Sequence, residues 1–76
     1  MRKEAIEIGE KLRERRRLLG IKQPELAFLS GVSSRTIQQV ENGRGNPSLE
    51  TLFQLADPLG LRLELILKEP QKPADQ

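Results

Sequence analysis

The apolar residues of this chain recur mostly with helical spacing, which predicts four helices followed by one strand. The first helix is expected from Lys3 to Leu19, where Gly20 ends it. Its buried stripe is expected to consist of Ala5, Ile8, Leu12 and Leu19. The fourth helix begins after Ser48, and Pro58 should stop it near Ala56 because proline removes a backbone donor. Its buried side is expected to consist of Leu49, Leu52, Phe53, Leu55 and Ala56.

Residues 23–43 have the pattern of two short helices joined by a tight turn. Pro24 fits the first turn of the second helix, Gly31 supplies a turn with positive φ, and Ser33 caps the third helix. The shared apolar face is expected to consist of Leu26, Ala27, Val32, Ile37 and Val40. The opposite face of the third helix carries donors and acceptors suited to base edges, namely Ser34, Arg35, Gln38 and Gln39. This pattern is a helix-turn-helix and indicates DNA binding.

The period changes in residues 61–67, where leucine occupies every second position as Leu61, Leu63, Leu65 and Leu67. A lone strand lacks a partner for its backbone, so we expect antiparallel pairing with the same strand of a second copy. A short fifth helix is the alternative, although alternate leucines would spread around a helix. We therefore expect a DNA-binding unit over residues 1–60, a dimerisation strand over 61–68 and a disordered tail over 69–76.

Composition excludes several classes of function. The chain has no cysteine and no histidine, and it lacks a glycine-rich phosphate loop, so we expect no metal, no cofactor and no enzymatic activity. There is no apolar run of membrane-spanning length and no signal-peptide pattern. Glu4, Glu7, Glu10 and Glu14 argue against a membrane-surface role for residues 1–19. The cytoplasm is the expected location, with nucleoid association when DNA is bound.

The net charge of +2 is distributed unevenly along the chain. Residues 11–44 hold eight Lys or Arg against three acids, whereas residues 45–76 hold three against five. A basic half that also carries a helix-turn-helix is typical of a protein that binds phosphates. The alternative is a solvated helix face without a partner.

These motifs together resemble the Xre/Cro-type helix-turn-helix family, the lambda-repressor-like DNA-binding domains, over residues 9–65. The matching segments are Leu12-Arg13, Leu19-Gly20, Gln23 to Ala27, Gly31 to Ser33, Ile37, Val40 to Gly43, and Asn46 to Leu49. The resemblance implies an all-α bundle of four to five helices. Ser30, where an apolar residue is common, and Pro58, which interrupts a helix that usually continues, depart from the family pattern.

Within this family the chain is most similar to HipB-type antitoxins, short chains that end in a strand like that of Leu61 to Leu65. This similarity implies C-terminal β-strand pairing between subunits of a homodimer. It also implies a repressor that autoregulates its own operon and binds a HipA-type Ser/Thr kinase toxin. Two alternatives stay open: a protein-interaction module or antitoxin that no longer binds DNA, and a toxin-independent Xre or phage-type regulator.

The resemblance and the helical geometry together assign roles to individual residues. The third helix would lie in the major groove of an inverted-repeat operator, where Arg35 could bridge guanine acceptors and Gln39 could pair with adenine. Contact with phosphate or solvent alone is the alternative for this face. The family pattern pairs Arg16 with Glu41, which removes Arg16 from the expected DNA contacts. The expected phosphate-binding residues are Lys22, Gln23, Ser33, Thr36, Asn42 and Arg44.

Overall fold

The computed structural model describes residues 2–68, which form four α-helices and one short 3-10 helix. In chain order these are α1 (Lys3–Leu18), α2 (Gln23–Ser30), α3 (Ser34–Glu41), α4 (Leu49–Ala56) and the 3-10 turn (Asp57–Leu59). The predicted number and order of helices are confirmed, with α1 one residue shorter than expected. None of the described residues 2–68 lies in a β-strand.

All four helices contribute to one hydrophobic core. Its most completely buried side chains come from α2, α3, α4 and the 3-10 turn, and they are Leu26, Ile37, Leu55 and Leu59. Leu12 of α1, together with Val32, Val40 and Leu52, completes the cluster. Each fully buried side chain of this size contributes about 1.5–3 kcal/mol. The apolar face predicted for the helix-turn-helix is therefore the face that packs into the core.

The helix boundaries follow local rules that the sequence displays. Ser33 and Ser48 cap α3 and α4, and each side chain accepts a hydrogen bond of 3.1 Å from the backbone amide three residues later. Gly31 ends α2 with φ of 76°, in the left-handed region that glycine adopts without strain. These devices place α3 directly after a short turn.

Pro58 ends α4 at Ala56 as predicted, and it also determines how the following residues pack. The chain continues as a 3-10 turn that directs Leu59 into the core, where it is fully buried. Arg15 of α1 donates a hydrogen bond of 2.8 Å from Nε to the carbonyl oxygen of Leu59. The departure from the family pattern at Pro58 is thus accommodated by packing the turn against α1.

Three expectations of burial are wrong. Leu19 is 44% exposed because it lies beyond the last residue of α1, where the chain already turns away from the core. Leu49 and Phe53 are 67% and 53% exposed. They stand four positions apart along one edge of α4, whereas Leu52 and Leu55 point into the core. Helical spacing placed these residues near the apolar side of α4 without showing how wide the covered side would be.

Residues 61–68, termed here the C-terminal segment, are neither helix nor strand, which excludes the fifth-helix alternative. Leu61 and Leu63 are half-buried against the core, whereas Leu65 is fully exposed and Leu67 is 66% exposed. Within residues 2–68, the segment makes one backbone hydrogen bond, from the Leu61 amide to the Ala56 carbonyl oxygen. A β-strand forms only when a second strand pairs with it, and the predicted partner is a second copy of the chain. The antiparallel pairing of the C-terminal segments therefore stays a prediction. The expected tail over 69–76 lies outside the described residues.

Candidate nucleic-acid interface

One side of α3 is exposed and polar, and it contains all four predicted base-reading residues. Ile37 and Val40 anchor the opposite side, with exposures of 0% and 4%. At 3.6 residues per turn, this anchoring directs a single row of side chains outward. The exposed row consists of Ser34, Arg35, Gln38 and Gln39. The structure therefore brings these four residues together on one face of a short helix that is rigidly packed from behind.

A buried ion pair holds the C-terminal end of α3 against α1. Arg16 donates two hydrogen bonds to the Glu41 carboxylate, of 2.6 Å from Nε and 2.9 Å from Nη2. The side chains are only 9% and 3% exposed. Arg16 also donates from Nη1 to the carbonyl oxygen of Ile21 at 2.8 Å. A planar guanidinium held at this many points fixes the orientation of α3 relative to α1.

Gln23 joins the same network, which the sequence did not indicate. Its Nε2 donates a hydrogen bond of 3.0 Å to Oε1 of Glu41. Because Gln23 is the first residue of α2 and Glu41 is the last residue of α3, this contact brings those two helix ends together. One carboxylate thus links three helices at the edge of the exposed face.

The electrostatics of Glu41 follow from this crowded position. Burial acts to raise the pKa of Glu41, but hydrogen bonds from Arg16 and Gln23, together with the positive charges of Arg16 and Arg13, outweigh it and leave the pKa below its ordinary value of 4.5. The hydrogen bond with Glu41 raises the pKa of Arg16, against the opposing effect of burial. Both groups are therefore charged at neutral pH, and each neutralises the other.

The backbones of α1 and α3 approach each other closely at Gly9, a residue that the sequence pattern alone did not single out. A Cβ atom at this position would overlap the carbonyl oxygen of Val40 and lie 2.9 Å from that of Glu41. Only glycine allows this approach without a shift of one helix. The available signal was a glycine within an otherwise helical pattern, which often indicates close packing.

The residues predicted to bind phosphate fall into two groups. Lys22 precedes α2, while Asn42 and Arg44 follow α3, and all three are exposed. The contact between Gln23 and Glu41 brings these two chain segments to the same end of the exposed face. The remaining predicted residues already have partners within the protein.

Ser33 and Thr36 are paired with each other: the Ser33 hydroxyl accepts from the Thr36 amide at 3.1 Å and donates to the Thr36 hydroxyl at 3.0 Å. The Gln23 side chain is engaged by Glu41, which leaves the N-terminus of α2 as its route to an anion. Any phosphate contact from these three residues would have to share groups that also hold the local fold together.

Ser30, the second departure from the family pattern, is buried and satisfied. Its hydroxyl accepts a hydrogen bond of 3.1 Å from the Val32 amide across the turn at Gly31. This local hydrogen bond satisfies the buried hydroxyl, so serine is tolerated at a position where an apolar residue is common. Among residues 2–68, no helix is long and apolar enough to cross a lipid bilayer.

Comparison with known proteins gives consistent results across sequence and structure. A family model described as helix-turn-helix matches residues 12–66. An uncharacterized HTH-type transcriptional regulator of Haemophilus influenzae is 47% identical over 51 residues, which cover 67% of this chain and 52% of that protein. The HTH-type transcriptional regulator y4dJ of Sinorhizobium fredii is 34% identical over 67 residues, 87% of each chain. The chain thus spans about half of the first relative and most of the second.

Among solved structures, the chain is similar to the restriction-modification controller protein C.AhdI of Aeromonas hydrophila. The TM-score is 0.73 at 37% sequence identity, and the match covers 78% of this chain and 89% of the other. The sequence of the chain is thus similar to those of HTH-type transcriptional regulators, and its fold is similar to that of a restriction-modification controller protein.

Proposed function

Because the chain belongs to the Xre/Cro-type helix-turn-helix family of DNA-binding regulators, which are not enzymes, we propose that it is a sequence-specific repressor acting as a homodimer. The absence of enzymatic activity, expected from composition, agrees with this family. The observation that carries the proposal is the exposed polar row of α3, backed by two buried apolar residues and oriented by the pair Arg16–Glu41. We place the protein in the cytoplasm, associated with the nucleoid when it binds its operator.

Sequence reading is assigned to the exposed row of α3. Arg35 bridges the two acceptors of a guanine, and Gln39 pairs with an adenine, since both geometries allow two hydrogen bonds to one base. Ser34 and Gln38 complete the reading surface. Lys22, Asn42 and Arg44, which lie at one end of the exposed row, hold the phosphate backbone there and set the register of the complex without reading sequence.

Dimerisation is assigned to the C-terminal segment. Apart from the hydrogen bond of the Leu61 amide, its backbone is unpaired within the described residues, and the exposed leucines Leu65 and Leu67 extend beyond the core. Antiparallel pairing with the same segment of a second copy would satisfy the backbone and cover these side chains. A two-fold symmetric protein then requires an inverted-repeat operator.

Footprinting on the protein's own promoter tests this function. We expect protection of two inverted half-sites on one face of the duplex, about one helical turn apart. Binding should weaken steeply as salt is raised, because phosphate contacts release counterions. A protein-interaction module that has lost DNA binding would show neither the footprint nor salt-dependent binding to duplex DNA.

We further propose that the repressor serves as the antitoxin of a HipA-type Ser/Thr kinase. The supporting observation is the alternating leucine pattern of the C-terminal segment, the feature on which the similarity to HipB-type antitoxins rests. Expression of a HipA-type kinase encoded beside this gene should arrest growth, and co-expression of this chain should restore it. A toxin-independent regulator would bind its operator equally well and leave the arrest unchanged.

A further inference from the structure

The C-terminal segment carries a different pattern on each of its two faces. On the inner face, Leu61 and Leu63 lie half-buried against the core, whereas Leu65 is fully exposed. The chain therefore leaves its own core after Leu63, and the second half of the leucine row needs cover from elsewhere. On the outer face, Nη2 of Arg62 lies 3.8 Å from Oε1 of Glu64, and the two side chains are 85% and 59% exposed. Both charges are accessible to a second chain.

Two-fold symmetry limits how two such segments pair. When a two-fold axis relates antiparallel strands, one residue must lie opposite its own copy. The leucine faces of both strands then lie on the same side of the ribbon, because the axis is perpendicular to it. The register is therefore described by a single residue, the one on the axis, and the candidates run from Arg62 to Ile66.

Charge eliminates most of these registers, since like charges directly opposite each other are destabilising. An axis at Arg62 or Glu64 sets two identical charges face to face. An axis at Leu65 sets Arg62 opposite the partner's Lys68. An axis at Leu63 sets Arg62 opposite the partner's Glu64, and symmetry forms this favourable pair twice.

An axis at Ile66 also pairs opposite charges, Glu64 with the partner's Lys68. In this register, however, the exposed leucines do not pack against either core. It sets Leu65 opposite the partner's Leu67, so the exposed leucines meet in an isolated ribbon away from either core. An isolated two-stranded ribbon is marginally stable in water. An axis at Leu63 instead sets Leu65 beside the partner's Leu61, a position that packs against the core in each chain.

We propose that two copies of this chain pair through their C-terminal segments in the register that centres on Leu63, with Arg62 and Glu64 forming cross-strand ion pairs. This inference rests on the proposed homodimer and specifies its interface. The charged face selects the register, and the leucine face lets each chain complete the other's core.

Spin labels on the outer face of the ribbon test the register while keeping every leucine. The chain has no native cysteine, so Arg62→Cys, Glu64→Cys and Ile66→Cys each provide one labelling site. We expect equal distances between the two labels of a dimer at Arg62→Cys and Glu64→Cys. The distance at Ile66→Cys should be longer by about 13 Å, because Ile66 lies farther from the axis along both strands. A minimum at Ile66→Cys or at Glu64→Cys would overturn the register while leaving the homodimer intact.

Charge exchange tests the ion pairs independently. Arg62→Glu lowers the charge of a chain by two, and Glu64→Arg raises it by two, so ion exchange separates the mixed dimer from both homodimers. With the axis at Leu63, each variant alone faces like charges, and mixing restores both pairs. The mixed dimer should rise from the random share of about half to more than about four-fifths. An axis at Ile66 predicts the random share.

Arg2→Glu and Glu4→Arg provide the matched control. Arg2 and Glu4 form another exposed pair with the same separation along the chain, 3.6 Å apart. Mixing these variants should give the random share, which shows that opposite net charge alone does not select the mixed dimer. If every variant and the unmodified chain are monomers, the proposed homodimer itself fails, an outcome distinct from a wrong register.

Discussion

The third helix and the C-terminal segment are both amphipathic, but only one of them is complete within a single chain. The apolar side of α3 is fully covered, with Ile37 at 0% exposure. The apolar side of the C-terminal segment is covered at Leu61 and Leu63 and uncovered at Leu65. A sequence pattern thus shows that a face is apolar, whereas the fold decides whether the same chain covers that face.

The two regions also contain the same kind of ion pair in opposite surroundings. Nε of Arg16 lies 2.6 Å from Oε2 of Glu41, and both side chains are almost inaccessible to solvent. Nη2 of Arg62 lies 3.8 Å from Oε1 of Glu64, and both of these side chains are exposed. Breaking a buried pair leaves a charge without compensation, while water replaces the partner in an exposed pair. The first pair therefore orients α3 within the monomer, and the second remains available to a partner.

The largest expected effect comes from making the exposed leucine row polar. Leu65→Lys should leave the helical unit folded, because the Leu65 side chain is fully exposed and does not pack into the core. The variant should be monomeric. Loss of the second half-site should weaken operator binding by about 10²- to 10⁴-fold. Light scattering and operator titration measure the two effects. Phe28→Lys, at an exposed position on α2, is the control for oligomeric state, and a dimeric Leu65→Lys variant would remove the segment from the interface.

The second largest effect is expected on folding stability, when one partner of the buried pair Arg16–Glu41 is removed. Arg16→Ala and Glu41→Ala should each lower the free energy of unfolding by up to about 3–5 kcal/mol, because each strands a buried charge. The double variant should lose less than the sum, which thermal or denaturant unfolding can measure. Arg62→Ala with Glu64→Ala is the exposed counterpart, with an expected cost below about 1 kcal/mol. Additive losses at Arg16 and Glu41 would contradict a direct interaction.

Gly9→Ala tests the close approach of α1 and α3. The added methyl group collides with backbone carbonyls that have little freedom to move, so we expect a loss of about 1–3 kcal/mol in unfolding free energy. Alanine favours a helix over glycine, and a gain in stability would therefore indicate that the two helices do not touch there. Glu10→Ala, at an exposed neighbouring position, should stay within about 0.5 kcal/mol of the unmodified protein.

Arg35→Ala distinguishes sequence reading from phosphate binding on α3. It should cost about 1–3 kcal/mol per half-site on the cognate operator and little on random DNA. Arg44→Ala should weaken both about equally and lower the salt slope by about one for each phosphate that the variant no longer neutralises. Titrations at several salt concentrations measure both. Equal decreases in affinity on both DNAs for Arg35→Ala would assign this residue to the phosphate backbone.

The smallest effect concerns pH. The pKa of Glu41 is lower in the folded state than its ordinary value of 4.5, so its contribution to stability is present above that value. It should be lost as pH falls through the folded pKa, when the carboxylate takes up a proton. Thermal unfolding from about pH 6 to about pH 3 should show Glu41→Gln to be less pH-sensitive than the unmodified protein. Parallel curves would show that another acidic group controls acid unfolding.

The sequence by itself determined the order of the helices and most of their ends. Ser33 and Ser48 cap helices with their own side chains, and Pro58 stops α4 because it lacks an amide hydrogen. The buried and exposed sides of α3 also followed from spacing alone. These features depend on interactions within a few residues, so they are visible in a linear pattern.

Only the tertiary structure decided whether the apolar residues along the edge of α4 are covered and which polar groups, beyond the pair Arg16–Glu41, meet. Leu49 and Phe53 share the hydrophobic character of their neighbours, yet no other element lies over them in the described chain, residues 2–68. Gln23 reaches Glu41, and Arg15 reaches the Leu59 carbonyl oxygen, across 18 and 44 positions of sequence. Gly9 is needed because two backbones converge there. Such contacts depend on where whole helices lie relative to one another, which local spacing does not encode.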